Sequence, residues 1–512
     1  MSALEKAIGD LPLLNEALRT TDEDTYEKIA ASIVAKVGKL SPQDLASKDV
    51  LQVGSFGSSV DNADRVQNLP TGAHTIAYVL AVSTAIDQIT SSGKAAPRQL
   101  PQSLLPEGNL WPFITQALLQ FNPYQVRYVG QDFSKIITVV VRGAEQTTNY
   151  IPAVQLLNHV ILRLDPTSST FTSTHHSYIR LCLFARAFDE AINILDRPIY
   201  HIPAVLDKQS QARSYDHLCS DHDISATYLT PNTGLTFKIT SKGYLEYYLW
   251  GALCYMAVGQ HKKAITFLEI VILAPAQQQT ASAVQIESYK KWVLLNLLVH
   301  GEVKPIRGGQ STTLRTIRAV AKPYDCIAEA FKSRDPRRLS QEIDEGGDIW
   351  RNDTNEGLLL QVYHAHVLFA VKSLSKTYVA LPISEVVRQV SPKSGLQETA
   401  TFIQELITSG KLKAGLTPSA DRQDQILRFL PDSADVLPEA QIQQQLALKA
   451  AQLQLLLKNI TDIEHRTELS KEYVEYLRKL KKQRDEDTKK SEGGKPRTAS
   501  IDDFDEDVMD EF

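Results

Sequence analysis

Apolar residues recur three and four positions apart along most of the chain, with few alternating β-branched runs, so the pattern predicts a mainly helical protein. The expected helix boundaries are legible. Thr21 and Asp24 have capping-box spacing, while Ser41 before Pro42 and Asp335 before Pro336 each place an N-cap ahead of a proline at the first helical position. Gly259, Gly301 and Gly410 each follow a periodic apolar stretch, where a residue of positive φ ends a helix at little cost. Residues 1–197 therefore read as successive short helical repeats, broken by polar loops at 54–59 and 97–106. Residues 198–240, with Pro203, Pro231 and Gly234, read as an irregular connector.

Residues 241–354 carry a repeat signal. Tyr248, Gly251, Ala252, Tyr255, Gly259, Ala264, Leu268 and Pro275 fall near the offsets of the tetratricopeptide pattern. Small residues let two helices approach, aromatics fill the space between them, and a proline stops the second helix. A degenerate copy lies upstream in Tyr178, Ala191, Leu195 and Pro203, without a glycine at its turn. The expectation is a solenoid of helical hairpins; ordinary helix packing without a regular superhelix is the alternative.

The texture changes after Asp335. Helices are expected at Asn355 to Tyr378, Ile383 to Val390 and Leu396 to Ser409, then strands at Lys411 to Leu416 and Gln425 to Leu430 around a Thr417–Ser419 turn. That order is a winged-helix pattern, placed at 355–431. From Pro438 about 45 residues lack Gly and Pro, enough for a helix of roughly 68 Å if unbroken, and we place it at 438–484. Its apolar stripe, Ile442, Leu446, Ala450, Leu453, Leu457, Ile460 and Ile463, is coiled-coil-like and predicts docking on neighbouring helices. Residues 485–512 are poor in apolar residues and read as a disordered acidic tail.

Charge sharpens this division. The 512 residues hold 55 Lys+Arg and 60 Asp+Glu, a net of −5; the tail alone, with 11 acidic and 4 basic residues, is −7, which leaves +2 for the other 484. The body gives no whole-molecule reason to bind phosphate backbones or anionic membranes. No run approaches the roughly 18 apolar residues of a spanning helix, and Glu5, Lys6 and Asp10 interrupt any leader-like start. Cys182, Cys219, Cys254 and Cys326 form no CxxC pair, which suits reduced thiols. Lys481-Lys482-Gln483-Arg484 fits a loose nuclear-import pattern, although cations also complement a helix C-terminus. The expected location is cytoplasm and nucleus.

Tests for chemistry fail one by one. His364 and His366 suggest a metalloprotease His-x-His, but Leu374 and Thr377 stand where its Ser and Asp would be. Residues two apart on a helix also diverge by about 200°. His217, Cys219 and His222, beside Asp221 and Asp223, lack a second ligand pair at a zinc-site distance. Phosphate-cradling glycine motifs, G-x-S-x-G and H-E-x-x-H are absent from the sequence. The expectation is no catalytic, cofactor or metal residues. A winged helix also raises nucleic-acid binding, but Leu396 to Ser409 carries Glu398 and Glu405 and no Lys or Arg, although basic residues are scattered around it. Protein binding through a sheet edge and the long helix is the more economical reading.

Helical hairpins running into a winged helix and a long C-terminal helix resemble the PCI module, a scaffold without an active site found in the proteasome lid, the COP-9 signalosome and initiation factor three. The signalosome branch is the nearest likeness. It is carried by Phe188-Asp189-Glu190-Ala191 through Asp196, Tyr247 to Pro275, Glu287-Ser288-Tyr289-Lys290-Lys291-Trp292 through Gly301, and Lys376-Thr377-Tyr378 through Leu416; before Leu157 only compatible helices are visible. The resemblance implies a non-catalytic subunit of the complex that removes Nedd8 from cullin–RING ubiquitin ligases, with the metalloprotease on another subunit. Implied partners are the other signalosome subunits, PCI subunits above all, and cullin–RING ligases through the assembled complex; neither nucleic acid nor membrane is implied. Mapped here, Leu412, Ala414, Leu416 and Ile426 form the winged-helix edge, and Ile442, Leu446, Leu453, Leu457 and Ile460 face a helical bundle. The alternatives are the paralogous proteasome-lid subunit and, below it, a nucleic-acid-binding winged-helix protein. Ser500, before Ile501-Asp502-Asp503, is a candidate phosphorylation site in the tail.

Overall fold

A computed structural model of the chain describes residues 23–39, 75–92, 99–203, 225–275, 280–306, 312–333, 335–390, 396–410, 412–418, 425–430, 439–468 and 473–482. It divides into two units, Met1–Pro431 and Asp432–Phe512. The first begins with helices α1 (Glu23–Gly38), α2 (Thr75–Ser92), α3 (Trp111–Leu119), α4 (Gly130–Thr147) and α5 (Ile151–Leu164). In α4 the apolar positions Phe133, Ile136, Ile137, Val140, Val141 and Ala144 recur at helical spacing and are buried. Hydrogen bonds fix the packing where side chains are polar: Tyr78 donates to the Phe113 carbonyl at 3.2 Å, and Ser83 to Asp132 at 2.6 Å. The end of the expected connector docks on α4. A Cβ on Gly130 would run into the Thr233 carbonyl, and Ser134 donates to the Gly234 carbonyl at 2.5 Å.

Two helical hairpins follow, α6 (Ser173–Ala185) with α7 (Phe188–Leu195), then α8 (Ser241–Ala257) with α9 (His261–Leu273). In the second, the small pair does what its spacing implies: Ala252 is buried, and a Cβ on Gly251 would lie 2.9 Å from both Leu195 Cδ2 and Phe267 Cε1. Tyr248 and Tyr255 fill the flanks, each with its ring 5.1 Å from Phe267. Gly259 takes φ +81° at the turn. The upstream copy turns without glycine because Arg186 itself adopts φ 54°, and its helices are tied where Tyr178 donates to the Glu190 carbonyl at 2.7 Å. Asp196 links the hairpins by accepting from Tyr255 at 2.8 Å and Lys263 at 2.7 Å.

The path continues through α10 (Ala283–His300), α11 (Thr312–Val320), α12 (Lys322–Lys332), α13 (Pro336–Glu345), α14 (Gly347–Asn352) and α15 (Glu356–Leu374). Gly301 ends α10 at φ +74°, and Asp335 caps α13 by accepting from the Arg337 amide at 2.9 Å. Helix α15 is long and apolar enough to cross a membrane by length and composition. It also belongs to two cores: Leu359 and Val362 complete the large one that starts at Tyr26, and Val367 and Val371 begin a smaller one ending at Phe429.

That smaller core is the winged helix. It contains β1 (Ala380–Pro382), α16 (Ile383–Val390), α17 (Leu396–Thr408), β2 (Ala414–Pro418) and β3 (Gln425–Phe429). Strand β1 is an addition to the sequence expectation; at three residues, the last of them Pro382, it is too short to show a period. Its presence changes the sheet, whose order is β1-β3-β2, both pairings antiparallel. The expected turn at 417–419 also moves, because Thr417 and Pro418 belong to β2. In the second unit, α18 (Glu439–Glu468) runs 30 residues, about 45 Å, and residues 473–482 are again helical.

Candidate assembly surfaces and the polar hub behind them

The run Glu287 to Trp292 on α10 becomes a hub in which every member has a partner. Tyr289 donates to Asp325 on α12 at 2.8 Å, and burial pushes the Asp325 carboxyl upward against that hydrogen bond. Lys290 reaches Asp353 at 2.6 Å, and Tyr324 donates to the other oxygen of the same carboxylate at 2.8 Å. Lys291 bonds Glu287 at 2.6 Å and Asn355 at 2.8 Å, and the Asn355 amide donates to Tyr324 at 2.8 Å. Trp292 donates to Glu269 on α9 at 3.1 Å, and Ser288 to the Val284 carbonyl at 2.7 Å. Asp353 and Asn355 form the corner from which α15 departs. The hub thus fixes the direction of the helix that carries the winged helix, with charged groups paired and hydrogen-bonded as partial burial demands.

His364 and His366 lead away from each other. The His364 ring packs 5.3 Å from Phe402, while His366 is buried edge-on against Phe331 at 5.0 Å with neither ring nitrogen hydrogen-bonded. Burial holds the His366 pKa below the usual histidine value. His217, Cys219 and His222 lie outside the described residues. Among the described residues, no group of three His, Cys, Asp or Glu side chains is placed to hold a metal.

A serine–histidine pair escaped the sequence reading: Ser168 Oγ lies 2.8 Å from His175 Nε2. Its geometry is that of a helix cap. The Thr172 amide and hydroxyl face Nδ1 at 3.2 and 2.7 Å, and an amide can only donate, so Nδ1 accepts and Nε2 carries the proton toward Ser168. That tautomer cannot take a proton from the serine, and both residues are fully covered. Burial, only partly offset by Asp165, holds the His175 pKa down to about 4. The unfolded chain protonates this group below about 6.5. Stability is therefore intact above that pH and falls as pH drops toward about 4, by up to about 3 kcal/mol for His175, with His366 acting in the same direction. A thermal-unfolding midpoint lower at pH 5 than at pH 7.5 is the expected result; an unchanged or higher one contradicts it.

The expected edge residues do not share one edge. Ile426 sits on β3, the central strand, opposite Thr417 on one side and Pro382 on the other, because β1 occupies the side expected to be free. Leu412 and Ala414 are buried in the winged-helix core and Leu416 packs against it, so their side chains serve the fold. The described sheet has two outer backbone edges, those of β1 and β2, and the five-residue β2 presents the longer one. On α18, Ile442, Leu446, Leu453, Leu457 and Ile460 are all exposed, Leu446, Leu453 and Leu457 by 64, 59 and 61%. Ser500 lies outside the described residues.

Comparison with known proteins fits this architecture. Residues 46–313 match the family described as COP9 signalosome complex subunit 3, N-terminal helical repeats. The COP9 signalosome complex subunit 3 of Emericella nidulans is 30% identical over 462 residues, 90% of this chain and 92% of that protein. The subunit of the same name from Neurospora crassa is 24% identical over 375 residues, 71% of this chain and 74% of that one. With the hairpins matched by a family model and nine-tenths of the chain aligned to one relative, this chain belongs to the COP9 signalosome subunit 3 family.

Proposed function

We propose that the chain is a non-catalytic scaffold of a COP9 signalosome, in which the assembled complex removes Nedd8 from cullin–RING ligases and another subunit supplies the metalloprotease. The reading is carried by the apolar stripe of α18, whose leucines are exposed in a chain otherwise well able to bury them. Each such side chain contributes about 1.5–3 kcal/mol when fully covered, which is ample for a helix bundle shared between subunits. The outer edge of β2 offers a second attachment by strand addition, with Pro418 limiting its length. Contacts to neighbouring PCI subunits use these two surfaces, and cullin–RING ligases are met through the assembled complex. The complex works in both cytoplasm and nucleus, consistent with the basic run at 481–484.

The double substitution Leu453→Asp, Leu457→Asp is expected to remove the chain from the large complex on size-exclusion chromatography and leave its own unfolding midpoint unchanged. Incorporation equal to the native chain would sink the bundle assignment.

A further inference from the structure

We propose that a groove between α13, α14 and the start of α15 binds a Lys/Arg-rich segment of a partner protein through one apolar anchor residue. The groove has a volume of about 450 Å³, within the range of sites that take a large side chain and its flanks. Trp350 and Leu359 line it as buried side chains, while Leu360 lines it and remains 59% exposed. Its polar lining includes the carboxylates of Asp344 and Glu356.

The charge pattern of α13 picks the occupant. Arg337 and Arg338 lie in its first turn, and Glu342, Asp344 and Glu345 at its C-terminal end. Both ends oppose the helix dipole, which favours anions at the N-terminus and cations at the C-terminus. Asp348 follows in the first turn of α14 and adds a fourth carboxylate beside the negative end of α13, where Glu342, Asp344 and Glu345 already stand. Arg351 meets part of it, reaching Asp348 at 3.3 Å and Glu356 at 3.5 Å. A segment with lysines or arginines around a leucine or phenylalanine relieves the remaining repulsion and covers Leu360, while an acidic segment would add to it.

The site has a built-in blocking position. A Cβ on Gly347, in the groove lining, meets nothing within 4 Å, so Gly347→Phe adds a bulky ring at the groove without disturbing the packing. The test is fluorescence anisotropy on the full chain with a labelled Lys-Arg-Lys-Phe-Lys-Arg-Lys peptide. Controls replace its phenylalanine by glycine, or its basic residues by glutamate. Saturable binding is expected at about 50 mM salt, weakened at about 500 mM and lost with either control. It should weaken at least about tenfold in Gly347→Phe and in Asp344→Lys with Glu356→Lys, each with an unchanged circular dichroism spectrum. No saturable binding, equal binding of the glycine peptide, or indifference to both variants would overturn the proposal. So would concentration-dependent dimerisation abolished by Gly347→Phe, which would make a second copy of the chain the occupant. The inference stands independently of the signalosome reading.

Discussion

Replacing Gly251 by leucine is expected to destabilise the chain by about 3 kcal/mol, whereas alanine should stay within about 1 kcal/mol of the native protein. The asymmetry follows from what surrounds the position. A methyl group there meets the end of the Leu195 side chain and the edge of the Phe267 ring at 2.9 Å, and both can shift by a few tenths of an ångström. The strain is partly offset by the roughly 1 kcal/mol that alanine gains over glycine inside a helix. A leucine instead needs the space occupied by Leu195 and Phe267, and these belong to the preceding hairpin and to the second helix of its own. Forcing them apart separates α8 from both neighbours and takes Tyr248 and Tyr255 off the Phe267 ring. Urea unfolding midpoints of the three proteins check the ordering; a leucine variant as stable as the alanine variant would mean the helices do not approach closely here.

Asp353→Ala is expected to cost about 3 kcal/mol, as much as the glycine overpacking, although it removes only a few atoms. Its carboxylate receives Lys290 on one oxygen and Tyr324 on the other, and Tyr324 also holds the Asn355 amide. Truncation leaves the partly covered Lys290 ammonium with only the more distant Glu287 carboxylate, at 3.9 Å, and leaves Tyr324 without its acceptor, so the loss is mainly that of poorly compensated polar groups. Two further variants separate this account from simple cavity formation. Asp353→Asn keeps an acceptor for Tyr324 and should lose less, and adding Lys290→Met to Asp353→Ala should restore part of the stability by removing the stranded charge. If the double variant were less stable than Asp353→Ala, the hub would not be acting through charge compensation. Because Asp353 and Asn355 sit where α15 departs, the same substitution should loosen the winged helix, read as faster amide exchange in α16 and β3.

Much of this architecture is local and therefore legible. Gly259, Gly301 and Gly410 were expected to end helices and do so at φ between +71° and +81°. The cap at Asp335 and the helix Ile383–Val390 stand where their residues place them, because a cap or an amphipathic period is settled within a few positions. What failed was non-local. Strand β1 has three residues and exists because β3, more than forty positions later, pairs with it at Leu381–Leu427. Its arrival turned β3 into the central strand and moved Ile426 off the edge. The α10 motif was visible, but its meaning depended on Asp325, Asp353, Asn355 and Glu269, which only folding brings to it. The same holds for the groove beside Gly347, where the reversed charges of α13 were present in the sequence but the cavity they border was not.

The central claim, that this chain works as a non-catalytic subunit of a COP9 signalosome, is tested most directly by purifying a tagged full-length copy from its own cells and identifying what accompanies it in equal amount. The account predicts the other signalosome subunits at one copy each, with deneddylation of a neddylated cullin by the assembled material and none by the isolated chain. Proteasomal ATPases in their place, or deneddylation by the isolated chain, would contradict it.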